Sequence, residues 1–137
     1  MSIVKKISDR LLLLLYKYRS SIDRAAVRKM HSQMGLLGED ANLRMPNALD
    51  APQKIFMEEN TCIHQGGTFL ISTRKEGGNF VMKHNSGSAE NLTVVTGNHQ
   101  RNVNHFFMDK ETHYLDDIDE DVTVHEEVWL GVNVTYL

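Results

Sequence analysis

The stretch Val94-Val95-Thr96-Gly97-Asn98-His99 is the part of the chain best suited to chemistry. A β-branched run ends at a glycine, and a histidine then stands at the root of a long segment, Gln100 to Asp121, that carries no strand or helix pattern. An imidazole with an ordinary pKa of about 6.5 can take a proton at neutral pH, so His99 is the candidate general base. Spacing alone favours an ordinary surface histidine. The other histidines (His31, His64, His84, His105, His113 and His125) show no HExxH or paired-ligand spacing, so no metal centre is expected. Cys62 is the single cysteine, which excludes a disulfide scaffold and suits a small, buried apolar residue. The acid run Asp116-Asp117-Ile118-Asp119-Glu120-Asp121 lacks EF-hand spacing and reads as a solvated turn. There is no P-loop and no GxGxxG.

The elements that must position these residues fall into two regimes. The chain has 137 residues, 41% apolar and 24% charged, the composition of a single globular unit. Its net charge of −3 is unevenly spread: residues 1–34 carry eight Lys/Arg against Asp9 and Asp23, and sixteen of the eighteen acids follow. Few aromatics accompany the basic stretch, so nucleic acid is not expected as a partner, whereas a membrane surface or a lipid-linked glycan suits it better. The longest apolar run, Leu11 to Tyr16, is too short for a membrane span or a secretory segment, and a cytoplasmic, reducing location is expected. Val4, Ile7, Leu11, Leu14 and Tyr18 share one helical face. Ser20-Ser21-Ile22-Asp23 resembles a capping box, which predicts a second helix running through Met30 and stopping near Gly35. Residues 1–54 therefore read as basic α-helices and a connector, the latter a linker or a set of short irregular strands.

From residue 55 onward the pattern is one of very short β pieces. Met57 and Ile63, then Met82, Ser88 and Val94, then Val124, Leu130 and Tyr136, all step by six, and only Ser88 breaks the large or apolar rule. Smaller or β-branched residues often follow four places on, as at Thr61, Gly67, Ser86, Val128 and Val134. Neither an amphipathic helix nor a plain antiparallel strand has this period. A hexapeptide parallel β-helix does, with one large inward side chain per face and a small one at each corner. Residues 55–137 are read as that domain, mainly β, interrupted by a loop at 100–121, with Thr73 to Asn79 as a second, smaller break.

Val95-Thr96-Gly97-Asn98-His99, followed after a loop by Asp121-Val122-Thr123-Val124-His125-Glu126-Glu127-Val128-Trp129-Leu130-Gly131-Val132-Asn133-Val134-Thr135-Tyr136, closely resembles the hexapeptide-repeat acyltransferases, in the branch of maltose, galactoside and capsular-polysaccharide O-acetyltransferases. That resemblance implies a left-handed parallel β-helix, a homotrimer with active sites between subunits, acetyl-CoA as cosubstrate and a carbohydrate hydroxyl as acceptor. It places His99 on the catalytic general base and Trp129 in the cleft near acceptor and thioester. It also puts Gly131 and Val132 on the cofactor side, with the Val132 amide toward the thioester carbonyl, and Asn98 and Gln65 on the acceptor side. Against the family pattern the chain stops soon after the Trp-Leu-Gly hexad, at about three and a half coils of roughly 18 residues. A non-catalytic scaffold or oligomerisation subunit is the alternative expectation.

Overall fold

A computed structural model of the chain describes residues 3–99 and 117–137. One long helix, α1 (Ile3–His31), precedes fourteen short strands. The first nine are β1 (Leu36–Leu37), β2 (Asn42–Leu43), β3 (Ala48–Leu49), β4 (Ile55–Met57), β5 (Cys62–Ile63), β6 (Thr68–Leu70), β7 (Phe80–Met82), β8 (Gly87–Ser88) and β9 (Thr93–Val95). The last five are β10 (Gly97–His99), β11 (Asp117–Asp119), β12 (Val122–Val124), β13 (Trp129–Leu130) and β14 (Thr135–Tyr136). With β10 and β11 set aside as a two-stranded sheet of their own, every third strand stacks on the same sheet, giving three four-stranded sheets ordered β1-β4-β7-β12, β2-β5-β8-β13 and β3-β6-β9-β14. All their pairings are parallel. The protein is thus mainly β, built of stacked parallel strands in an arrangement compatible with a β-helix.

The six-residue phase is the phase of the core. Met57 pairs with Met82 and Met82 with Val124; Ile63 pairs with Ser88 and Ser88 with Leu130; Val94 pairs with Tyr136. Met57, Ile63, Met82, Ser88 and Val94 have no exposed surface, and Phe69 joins them between Ile63 and Met82. Four places on, Thr61 and Ser86 are buried at the corners, each donating its hydroxyl to the carbonyl three residues back, of Glu58 and Lys83. A small hydroxyl side chain fits there because a local carbonyl satisfies it.

The corners themselves need left-handed backbone. Asn60, Asn85 and Glu127 have φ between +53° and +60° at one corner, and Gly66, Asn91 and Asn133 between +60° and +85° at the next. Asparagine tolerates this region better than other residues with a Cβ. Asn60 Nδ2 donates to Asn85 Oδ1 (2.7 Å) and Asn91 Nδ2 to Asn133 Oδ1 (3.1 Å), so the corner asparagines also tie one coil to the next.

Two expectations need correction. The N-terminal region holds one helix, not two. Ser20 and Ser21 donate their hydroxyls back to the carbonyls of Tyr16 and Lys17 instead of capping a new helix, and Arg19 pairs with Asp23 one turn on (3.9 Å). Helical hydrogen bonding therefore runs straight through the site expected to break. The helix stops at His31, before Gly35, which has no left-handed φ. A Cβ at Gly35 would lie 2.4 Å from the Gln53 carbonyl and 2.7 Å from the Phe56 ring, so its glycine serves close packing. The segment after it supplies β1, β2 and β3, with Leu37, Leu43 and Leu49 in the same six-residue phase, paired to Met57, Ile63 and Phe69. Each sheet thereby reaches four strands.

The end of α1 covers this first coil. Met30 is buried, Val27 and Met34 pack on the core, and His31 Nε2 lies 2.8 Å from the Leu43 carbonyl oxygen. No helix among the described residues is long and apolar enough to cross a membrane.

Candidate functional site

Trp129 stands on the outer side of the second sheet, 61% exposed, while its neighbour Leu130 points into the core. Register explains the placement. Trp129 pairs with Gly87, and Gly87 with Cys62, so these three residues form one outward column. The indole lies down over Gly87: a Cβ there would be 2.6 Å from Trp129 Cζ3 and 3.1 Å from Cys62 Sγ. The glycine is the space the ring occupies.

Beside the ring stands His64, edge-on to Trp129 with centroids 6.1 Å apart and an interplanar angle of 89°. Its Nδ1 lies 3.1 Å from Glu90 Oε1, and this contact is the main cause holding the Glu90 carboxyl below the usual glutamate range. The carboxylate can only accept, so Nδ1 is the donor of this contact. An exposed aromatic face flanked by an imidazole–carboxylate pair can stack a flat apolar surface and hold hydroxyls at its edge. Sequence reasoning named Trp129 and missed His64 and Glu90. Only the unequal offsets from Cys62 to Gly87 and from Gly87 to Trp129 bring them together, and those offsets depend on loop lengths that carry no pattern. Gln65, next to His64, is exposed.

Gly131 and Val132 follow on the same strand–turn segment. Val132 is 57% exposed. Gly131 has no left-handed φ, and a Cβ there would meet nothing within 4 Å among the described residues. Nothing in those residues demands glycine at 131, which faces open space.

The backbone of Asn98 and His99 forms β10, which pairs antiparallel with β11: Gly97 with Asp119, Asn98 with Ile118 and His99 with Asp117. Their side chains, like His105, His113, Asp116 and the loop 100–116, lie outside the described residues. The root of this hairpin is well anchored. Ser72 donates its hydroxyl to Asp119 Oδ2 (2.7 Å), and the Ser72 amide donates to Thr96 Oγ1 (2.9 Å). Arg74 Nε lies 3.8 Å from Asp119 Oδ2. Lys54 Nζ donates to the carbonyls of Arg74 and Gly77, closing the segment 73–79 onto the stack. A recess of about 470 Å³ lined by Arg74, Lys75, Glu76, Gly77 and Asp119 opens at this junction. The expected break at 73–79 is therefore the brace under the strand that bears His99.

Among the described residues no group of three His, Cys, Asp or Glu is arranged to hold a metal ion. In comparisons with known proteins, no family model, no curated protein and no solved structure matches this chain.

Proposed function

We propose that the chain is an acetyl-CoA-dependent O-acetyltransferase acting on a hydroxyl of a sugar or polysaccharide, on a left-handed parallel β-helix of the hexapeptide-repeat acyltransferase type. The observation that carries this proposal is the register: the six-residue phase stacks into three parallel ladders, and Trp129 leaves the second ladder beside the unfilled space at Gly131. The Val95-to-His99 motif leaves the third ladder into a braced hairpin. The cosubstrate supplies an activated acetyl group when bound. His99 takes the proton of the acceptor hydroxyl, Asn98 and Gln65 hold the acceptor, and Trp129 lines the cleft. Gly131 leaves room for the thioester arm, and the Val132 amide is directed at its carbonyl oxygen, where one aimed donor is worth about 3 kcal/mol of barrier. Two subunits of a homotrimer complete each site, in a reducing, cytoplasmic setting.

The test is acetyl transfer to a panel of mono- and oligosaccharides, with release of free thiol as readout. His99→Ala lowers the rate by about 10²–10⁴-fold, the usual contribution of a positioned base. Transfer that survives this substitution unchanged overturns the assignment. No transfer by the wild-type chain to any acceptor supports a non-catalytic scaffold instead.

A further inference from the structure

Among the described residues, most of α1 packs against nothing else in the chain. Contact with the stack begins at Val27 and Met30, near its C-terminal end. Before that, Leu11, Leu12, Leu13, Leu14 and Leu15 are each 56–64% exposed, and Tyr16, Tyr18 and Ile22 are exposed as well. At 3.6 residues per turn, Leu11, Leu14, Leu15, Tyr18 and Ile22 share one face. Arg10, Lys17, Arg24 and Arg28, at steps of seven, seven and four, run as a line along one border of that face, and all four are exposed. Leu12 and Leu13 stand off the face.

We propose that α1 lies along an anionic lipid surface, with its leucine–tyrosine face at the boundary of headgroups and acyl chains and the Arg10–Lys17–Arg24–Arg28 line against lipid phosphates. Charge complementarity selects this occupant over a second copy of the chain. A second α1 brings the same basic line, and of the helix's two acids, Asp9 and Asp23, the second is already paired with Arg19. The acidic stack of another copy could attract the charges but not cover the leucines. Among the described residues, the large apolar ones it exposes are Leu36, Met45, Leu70, Trp129, Val132 and Leu137, and Leu36, Leu70 and Trp129 stand on three different sheets. The apolar run is too short to span a bilayer, so the helix lies on it. This inference does not rest on the acetyltransferase reading.

The experiment is co-sedimentation of the full chain with vesicles of phosphatidylcholine containing about one-third phosphatidylglycerol, and with phosphatidylcholine alone, alongside sedimentation velocity without lipid. Binding to the anionic vesicles is expected. It weakens about fivefold for each of Arg10→Gln, Lys17→Gln and Arg24→Gln and falls as salt is raised. The double variant Leu11→Gln/Leu14→Gln loses binding, whereas Leu12→Gln/Leu13→Gln, off the face, keeps most of it. Circular dichroism checks that each variant retains its helix. Equal binding to neutral vesicles, or equal loss from both leucine pairs, overturns the proposal. So does a lipid-free oligomer that dissociates in Leu11→Gln/Leu14→Gln when no vesicle binding is seen.

Discussion

Single residues that break the core rule are informative here because the rule is so regular. Ser88 occupies a position that Leu43, Ile63 and Leu130 fill in the coils below and above, fully buried, and its hydroxyl has no hydrogen-bond partner among the described residues. An unsatisfied buried hydroxyl costs about 1–3 kcal/mol. Ser88→Ala should therefore raise stability by about 1 kcal/mol in denaturant melts, and a loss of stability would show that the hydroxyl is satisfied. Charged residues make the opposite contribution. Glu58 accepts from Lys83 Nζ (2.6 Å) and from the His84 amide (3.1 Å), and the Lys83 contact is the main cause holding its carboxyl below the usual range. Glu90 is lowered in the same direction, chiefly by His64. A carboxyl depressed in the folded state stabilises the fold above its unfolded value and loses that contribution as pH falls through the folded one. Stability should thus decline as pH drops below 4.5, the ordinary glutamate value, and the decline should be shallower in Glu58→Gln and Glu90→Gln. An unchanged pH profile in both variants would remove these pairs from the account.

Corners and ladders belong together at the scale of elements. One corner column runs Asn60, Asn85, Glu127, all left-handed, and the amide of each donates to a carbonyl of the preceding coil: Glu39, Glu59 and His84. Left-handed backbone costs an ordinary L-residue about 1–2 kcal/mol, and asparagine visits it routinely. Glu127→Asn should stabilise by about 1 kcal/mol and extend the Asn60–Asn85 side-chain ladder by one coil; a lower melting temperature would count against a strained corner. The same elements show what was legible in the sequence. Met57 to Tyr136 could be read because large inward residues recur every six positions, a spacing only stacked short strands require. Leu37, Leu43 and Leu49 obey the same spacing but sit among Gly38, Glu39, Asp40 and Pro46, whose turn chemistry left a linker and short strands both open and hid the continuation of the six-residue phase. Ser20 misled for a local reason, since a serine hydroxyl serves a cap or the carbonyl four residues back equally well. Within the site, Trp129 was legible by motif, whereas His64 and Glu90 meet it only through stacking across coils of unequal length.

On the scale of the whole molecule, a basic helical arm is joined to an acidic stack through a small contact at Val27, Met30 and Met34, so the two parts can be perturbed separately. A ligand confined to the stack should change the stability of the stack and leave the helical signal of the arm where it is. Acetyl-CoA is the discriminating ligand. A molecule that binds only the folded state stabilises it by RT ln(1 + [L]/Kd), about 2.7 kcal/mol at a hundredfold excess over Kd. For a chain of this size that corresponds to a rise of about 10 °C in Tm. On the proposed reading, this chain's share of the binding surface is the exposed indole of Trp129, the open space at Gly131 and the exposed Val132, in a chain whose sole tryptophan is Trp129. Tryptophan emission, excited selectively over the four tyrosines, therefore reports on this location alone, and the melt it follows should move together with the melt followed by β-sheet circular dichroism. A bulky residue at Gly131, such as Gly131→Leu, fills the space without meeting any described neighbour. It should cancel the acetyl-CoA shift while leaving the ligand-free Tm within a degree or two. If the wild-type transition is cooperative and acetyl-CoA does not move it, the stack is a folded scaffold and its outer face serves something other than acyl transfer.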